Sequence, residues 1–190
     1  MTLARLCSQN AHKLDELRNA LPGWTIELLD ASDYPPEDAD TYEGNARGKA
    51  VYGRAVGPGD AWMLGEDSGI ECDALDGGPG LHSARWAGDR PQAEALWERL
   101  QGETNRSARM MATLVALSPG GEEIVGRGRL DGTIAVEPRG DAGFGYDPIF
   151  IPAGFDRTVA ELGDDWKRVN SHRARAAQAF LSRLDSRATS

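Results

Sequence analysis

Lysine is scarce in this 190-residue sequence. Of its 21 basic side chains, only Lys13, Lys49 and Lys167 are lysines, and the rest are arginine. Lysine meets phosphate as a compact point charge, where arginine offers a flat fork. Retention of three ammonium groups in an arginine-based chain therefore points to phosphate, although three chance survivors would look the same. Cysteine is nearly absent, and Cys7 and Cys72 lie in apolar, strand-like stretches that suit reduced core thiols better than a bridge. Histidine numbers three with no pair at ligand spacing. His82 reads as a surface or structural residue, and zinc is not indicated.

Other absences bound the setting. No apolar run approaches the length of a bilayer. Met1-Thr2-Leu3-Ala4-Arg5 lacks a signal peptide's apolar segment. The expectation is a cytoplasmic protein without a membrane partner. A net charge of −9 repels a long polyanion, so nucleic acid is not expected either. A small anion would need a local basic pocket. No repeat, linker or low-complexity tract interrupts the chain. With 40% hydrophobic residues, residues 1–190 suit one domain, with two lobes around a cleft.

What is present centres on Gly65-Glu66-Asp67-Ser68-Gly69, which follows the buried-strand pattern Ala61-Trp62-Met63-Leu64. Two adjacent carboxylates at a strand exit are costly unless cations or donors compensate them. Side chains alternate along a strand, so Glu66 and Asp67 meet one metal only if the chain turns out there, which Gly69 permits. Hard divalent cations such as Mg²⁺ take such oxygen ligands. The stretch reads as a metal-assisted hydrolytic site centred on Asp67, or as a solvated turn with two surface acids.

Along the chain, Leu3 to Cys7 predicts a strand and Ala11 to Leu21 a helix with Leu14, Leu17, Ala20 and Leu21 on its apolar face. The turn Ser8-Gln9-Asn10 to Lys13 then offers backbone N–H groups and a helix dipole to an anion, or ordinary capping. A strand from Trp24 to Leu29 leads into an acidic loop stiffened by Pro35-Pro36 and carrying Glu37. A helix from Tyr42 to Val56 sets Asn45 and Lys49 on one face. Glycines 77, 78 and 80 permit tight turns. Pro91 to Gln101 predicts a helix, Ala108 to Leu117 a strand, Pro119-Gly120-Gly121 a hairpin, and Glu122 to Leu130 and Gly132 to Val136 two further strands.

Gly143-Phe144-Gly145-Tyr146-Asp147-Pro148 sets two aromatics around a glycine ahead of a strand from Ile149 to Ile151. The rings suit stacking on a flat ligand, worth about 1–3 kcal/mol per base, or anchoring of a turn. Asp147 can hold the loop or accept from a base or ribose. Ser171 is placed to cap a last helix with the stripe Ala177, Phe180, Leu181 and Leu184, expected to fray beyond Asp185. Arg173 in its first turn opposes the dipole, which assigns Arg173 and His172 to something other than helix stability.

Seven stretches, in order and spanning nearly the whole chain, make the sequence similar to the inosine triphosphate pyrophosphatase family. They are Ser8-Gln9-Asn10 with Lys13; Thr41 to Ala46 with Lys49; Glu66 to Gly69; Ala74 to Gly80; Ser83-Ala84-Arg85; Gly143 to Phe150; and Lys167 with Ser171-His172-Arg173. Two positions depart from the pattern: the usual Thr-Gly-Asn start reads Ser8-Gln9-Asn10, and Gly44 stands where many relatives carry glutamate.

The resemblance implies an α/β fold, a long twisted mixed sheet flanked by helices, in a homodimer. It implies Mg²⁺-dependent hydrolysis, with Mn²⁺ as a substitute, of ITP, dITP and XTP to the monophosphate and pyrophosphate. Asp67 would bind metal and act as, or orient, the base, with Glu37 and Glu66 as further metal ligands. Ser8, Gln9, Asn10 and Lys13 would hold the triphosphate. Lys49 and Lys167 would face phosphate or base, and Ser68 and Gly145 would line the substrate. Phe144 and Tyr146 would sandwich the purine beside Asp147, with His172 and Arg173 on its 6-keto oxygen. A pyrophosphatase for pyrimidine or modified nucleotides and a non-catalytic nucleotide sensor are the alternatives. The base preference separates the first, and metal-dependent product formation separates the second.

Overall fold

A computed structural model describes residues 2–188. Six strands form one mixed sheet in the order β2-β1-β3-β4-β5-β6. They are β1 (Thr2–Leu6), β2 (Trp24–Leu28), β3 (Trp62–Cys72), β4 (Ser107–Leu117), β5 (Glu123–Ile134) and β6 (Phe150–Pro152). β1 runs parallel to β2 and to β3, whereas β5 and β6 are antiparallel. The helices are α1 (Ala11–Ala20), α2 (Tyr42–Val56), α3 (Gln92–Arg99), α4 (Val159–Asn170) and α5 (His172–Ala188). Among the described residues no helix is long and apolar enough to cross a membrane.

The chain divides into two compact units. The first takes the chain through Asp67, Ala112–Gly128 and the chain from Arg173. Two apolar clusters fill it. One joins Leu6, Leu64 and Leu114 to Leu14 and Leu17 of α1 and Phe180 of α5. The other joins Cys7, Met63 and Val115 to Ala46 and Ala50 of α2. Leu64 and Met63 enter different clusters because successive strand side chains point to opposite faces. α2 lies so close on β3 that a Cβ at Gly65 would come within 1.9 Å of the Ala46 carbonyl oxygen. The second unit, Ser68–Met111 with Arg129–His172, packs Ile70, Cys72, Leu96, Leu100, Met110, Leu130, Tyr146 and Phe150 together.

Several expectations hold. Both cysteines are free and buried, α2 has the expected bounds, and Asn10 caps α1. Others need correction. The chain does not leave the sheet at Glu66-Asp67: β3 continues to Cys72, with Ile70 in the core and Gly69 outside the positive-φ glycines. The two strands expected over 122–130 and 132–136 are one, β5, whose inward alternation persists through Leu130 to Ile134. α3 ends at Arg99, two residues early. α5 reaches Ala188 without fraying at Asp185, and residues 189–190 of the expected tail lie outside the described residues. α4 lies where the sequence analysis predicts no element. Its start is a capping box in which Thr158 and Glu161 satisfy each other's backbone N–H groups.

Candidate active site

In the first unit, β3 carries the two acids on opposite faces because it remains a strand. Glu66 faces α1 and α5. Its Oε1 accepts from Arg173 Nε at 2.9 Å, and its Oε2 pairs with Lys13 Nζ at 2.7 Å. Arg173 also donates from Nη1 to Glu16 Oε2 at 2.8 Å. Burial alone would raise the Glu66 carboxyl, but the charges of Arg173 and Lys13 outweigh it and hold the group well below the usual carboxylate range. This explains Arg173's unfavourable place on the helix dipole: the buried Glu66 carboxylate and the half-buried Glu16 carboxylate hold it there.

Asp67 faces α2. Its Oδ2 accepts from Asn45 Nδ2 at 2.9 Å, and its Oδ1 stands 3.5 Å from Lys49 Nζ. Burial raises the Asp67 carboxyl, and the charge of Lys49 and the Asn45 hydrogen bond only partly offset it. Lys49 also donates to the Glu66 carbonyl oxygen at 3.0 Å and pairs with Glu37 Oε1. Burial would lower this ammonium, yet Asp67 and Glu37 carry it above its ordinary value. The two adjacent acids are thus driven in opposite directions, the usual separation of a fixed charge from a proton acceptor.

At the β1–α1 turn, Asn10 Oδ1 accepts from the N–H groups of His12 (3.0 Å) and Lys13 (3.3 Å). Ser8 Oγ accepts from the Asn10 N–H at 3.1 Å. Amides expected to meet an anion are therefore met by the chain's own cap, and Gln9 is exposed.

In the second unit, Asp147 and Lys167 form a buried ion pair. Asp147 Oδ2 also accepts from the Phe144 N–H at 2.9 Å, and Lys167 Nζ lies 4.2 Å from the centre of the Phe144 ring. Gly143 makes this loop possible. Its φ is +78°, and a Cβ there would sit 2.2 Å from Asp147 Oδ2. Phe144 is half-buried. Tyr146 departs from the expected pair of stacking rings: it lies in the core and donates its hydroxyl to the Ser83 carbonyl at 2.8 Å. Its polar end finds a partner while the ring fills space, as buried tyrosines do. Gly145 and Ser68 are half-buried, and His172 is buried.

Residues to which the sequence assigns no role complete both groups. Asn45 binds Asp67, and Glu16 binds Arg173. Ser83 Oγ accepts from the Ile70 N–H at 2.9 Å, while Gln92 Nε2 donates to the Ser83 carbonyl at 3.0 Å. Asn45 had a signal: a poor helix former on the face shared with Ala46, Lys49 and Ala50. Glu16 had none.

The donor chemistry can be tested against a hard divalent cation. Glu37 and Asp67 both bring carboxylate oxygens to the Lys49 ammonium, a cation standing where two acids converge. One or two carboxylates, completed by phosphate oxygens and water, are the usual holding for Mg²⁺. Glu37 and Asp67 fit that holding. Glu66 does not, because both its oxygens serve Arg173 and Lys13. Among the described residues no group of three His, Cys, Asp or Glu side chains is placed to hold a metal.

Fold and site together define an α/β protein with a buried centre of alternating carboxylates and ammonium or guanidinium groups. The chain belongs to the Ham1 family, whose profile matches residues 4–183. Relatives named dITP/XTP pyrophosphatase include one from Opitutus terrae, 43% identical over 90% of this chain and 93% of its own. Another, from Exiguobacterium sp., is 44% identical over 94% and 95%. The Ham1 protein of Staphylococcus aureus superposes with a TM-score of 0.82 at 30% identity, covering 98% of this chain and all of that one. These findings agree with the resemblance drawn from the seven stretches and with an α/β mixed sheet.

Proposed function

We propose that this chain is a nucleoside-triphosphate pyrophosphatase that hydrolyses ITP, dITP and XTP between the α- and β-phosphates. The products are the nucleoside monophosphate and pyrophosphate, and the role is to clear non-standard purines from the nucleotide pool. The observation that carries the reading is the convergence of Glu37 and Asp67 on the Lys49 ammonium, in a family whose members are named for this activity. Glu37 and Asp67 would hold Mg²⁺, or Mn²⁺ in its place. When bound, such an ion supplies charge to phosphoryl oxygens and acidifies water.

The chain's own residues do the rest. Asp67 is turned by Asn45 so that Oδ2 is occupied and Oδ1, on the Lys49 side, is the oxygen that would orient the attacking water or take its proton. Lys49 and Lys13 bring positive charge to the phosphates. Phe144 offers a ring to the base, and Lys167, held by Asp147, stands over that ring. On family grounds alone, the reading extends to a cytoplasmic homodimer.

A panel of ITP, dITP, XTP, ATP, GTP and dCTP, with and without Mg²⁺, tests it. Pyrophosphate is expected from the first three and only with metal. Release of orthophosphate, or equal turnover of ATP, would overturn it.

A further inference from the structure

Glu37 sits on an irregular loop between β2 and α2, so no sheet or helix fixes its place relative to Asp67. One buried side chain touches both the loop and the acid. Asn45 Oδ1 accepts from the Ala39 N–H at 3.0 Å, two residues beyond Glu37, and Asn45 Nδ2 donates to Asp67 Oδ2 at 2.9 Å. The job needs an acceptor at one end and a donor at the other. An amide has both, an ionised carboxylate has no donor, and an aliphatic side chain has neither. The partners also settle which way the amide lies, since a backbone N–H calls for oxygen and a carboxylate for nitrogen.

Lys49, one turn further along α2, pulls on the same two acids through Glu37 Oε1 and Asp67 Oδ1. An ammonium attracts without directing, because its charge is compact and its three donors rotate. Orientation must come from elsewhere, and Asn45 supplies it. By occupying Oδ2 it leaves Oδ1 on the Lys49 side. By gripping Ala39 it keeps the Glu37 segment against the start of α2, where Thr41 Oγ1 accepts from the Gly44 N–H at 3.0 Å.

We infer that Asn45 is a positioning residue: it sets the separation of the Glu37 and Asp67 carboxylates and thereby the affinity for the divalent cation. The inference rests on the reading of the site given above. Groups that orient metal ligands typically change metal affinity by about 10–100-fold when removed.

The test measures Mn²⁺ binding by electron paramagnetic resonance without nucleotide, and separately the Mg²⁺ dependence of ITP turnover. It uses the full chain and the variants Asn45→Ala, Asn45→Ser, Ala39→Pro and the double variant Asn45→Ala with Ala39→Pro. Asn45→Ala and Asn45→Ser should weaken Mn²⁺ binding at least about tenfold. They should raise half-saturating Mg²⁺ in step, while KM for ITP at saturating metal stays within about twofold. Ala39→Pro deletes the N–H that Asn45 accepts. It should weaken Mn²⁺ binding in the wild-type background and add nothing in the Asn45→Ala background. Unchanged Mn²⁺ affinity with only a lowered melting temperature would reduce Asn45 to a packing residue and overturn the inference, as would additive effects at Ala39 and Asn45. Where Asn45→Ala does not fold, the serine variant and Ala39→Pro decide. A wild-type chain that binds no Mn²⁺ either alone or with pyrophosphate present would instead overturn the reading of the site itself.

Discussion

Adjacent on β3, Glu66 meets Lys13 and Arg173 while Asp67 meets Asn45 and Lys49. The pair therefore separates under mutation. Asp67→Asn keeps the shape, and its amide can turn an oxygen toward Asn45 Nδ2. Burial already disfavours the lost charge and Lys49 keeps Glu37, which together offset much of the lost Asp67–Lys49 pair, so the melting temperature should fall by no more than a few degrees while Mg²⁺-dependent pyrophosphate release disappears. Near-normal turnover would remove Asp67 from the chemistry. Glu66→Gln should do the reverse at first measurement. It leaves Lys13 and half of Arg173 without their anion in a buried place, a loss on the order of 3 kcal/mol. Urea denaturation reads this directly. A midpoint unchanged from wild type would show that Glu66 does not organise these cations.

At the scale of elements, α2 crosses β3 at Gly65 with no room for a side chain. Added bulk there would press on the Ala46 carbonyl and the Ala50 N–H, which are backbone atoms and cannot swing aside. Gly65→Ala should cost about 3 kcal/mol by overpacking. It should also lower activity, because the same helix carries Asn45 and Lys49 to Asp67. In the second unit Thr158 is fully buried, caps α4 and donates to the Arg139 carbonyl oxygen at 2.8 Å. Thr158→Ala should cost about 2 kcal/mol, the upper end for a lost cap. A midpoint within error of wild type would show the cap to be dispensable.

These elements also show what was legible in advance. α1, α2 and α5 could be read nearly to their ends because Asn10, Thr41 and Ser171 stand before apolar stripes. The full length of β3 could not, because two neighbouring acids look like an exit until Lys13 and Arg173, at the two ends of the chain, arrive to neutralise one of them. Tyr146 reads as a stacking ring because the glycines on either side of its neighbour Phe144 mark a loop. Its hydroxyl's partner, the Ser83 carbonyl, is 63 residues away. α4 carries a readable start, the capping-box pattern Thr158-Val159-Ala160-Glu161.

For the whole molecule, the scarcity of lysine becomes a statement about surface chemistry. All three ammonium groups lie in ion pairs: Lys13 with Glu66, Lys49 with Glu37 and Asp67, and Lys167 with Asp147. Their side chains are 14, 9 and 7% exposed, so the accessible side-chain cations are arginines. Burial pushes both thiols up as well, Cys7 and Cys72 each to about 12, far above an ordinary cysteine. At pH 8 the thiolate, the reactive form, is therefore depleted in the folded chain relative to the unfolded one. Brief treatment of the native protein with an amine-acylating reagent and a thiol alkylator, read by peptide mass spectrometry, should leave the three lysines and two cysteines nearly unmodified. The same treatment in denaturant should label all five. Modification of Lys167 at the same rate in both states would break the Asp147 pair on which the arrangement of Phe144 and its loop depends, whereas protection of all five would make labelling a direct measure of folding in every variant above.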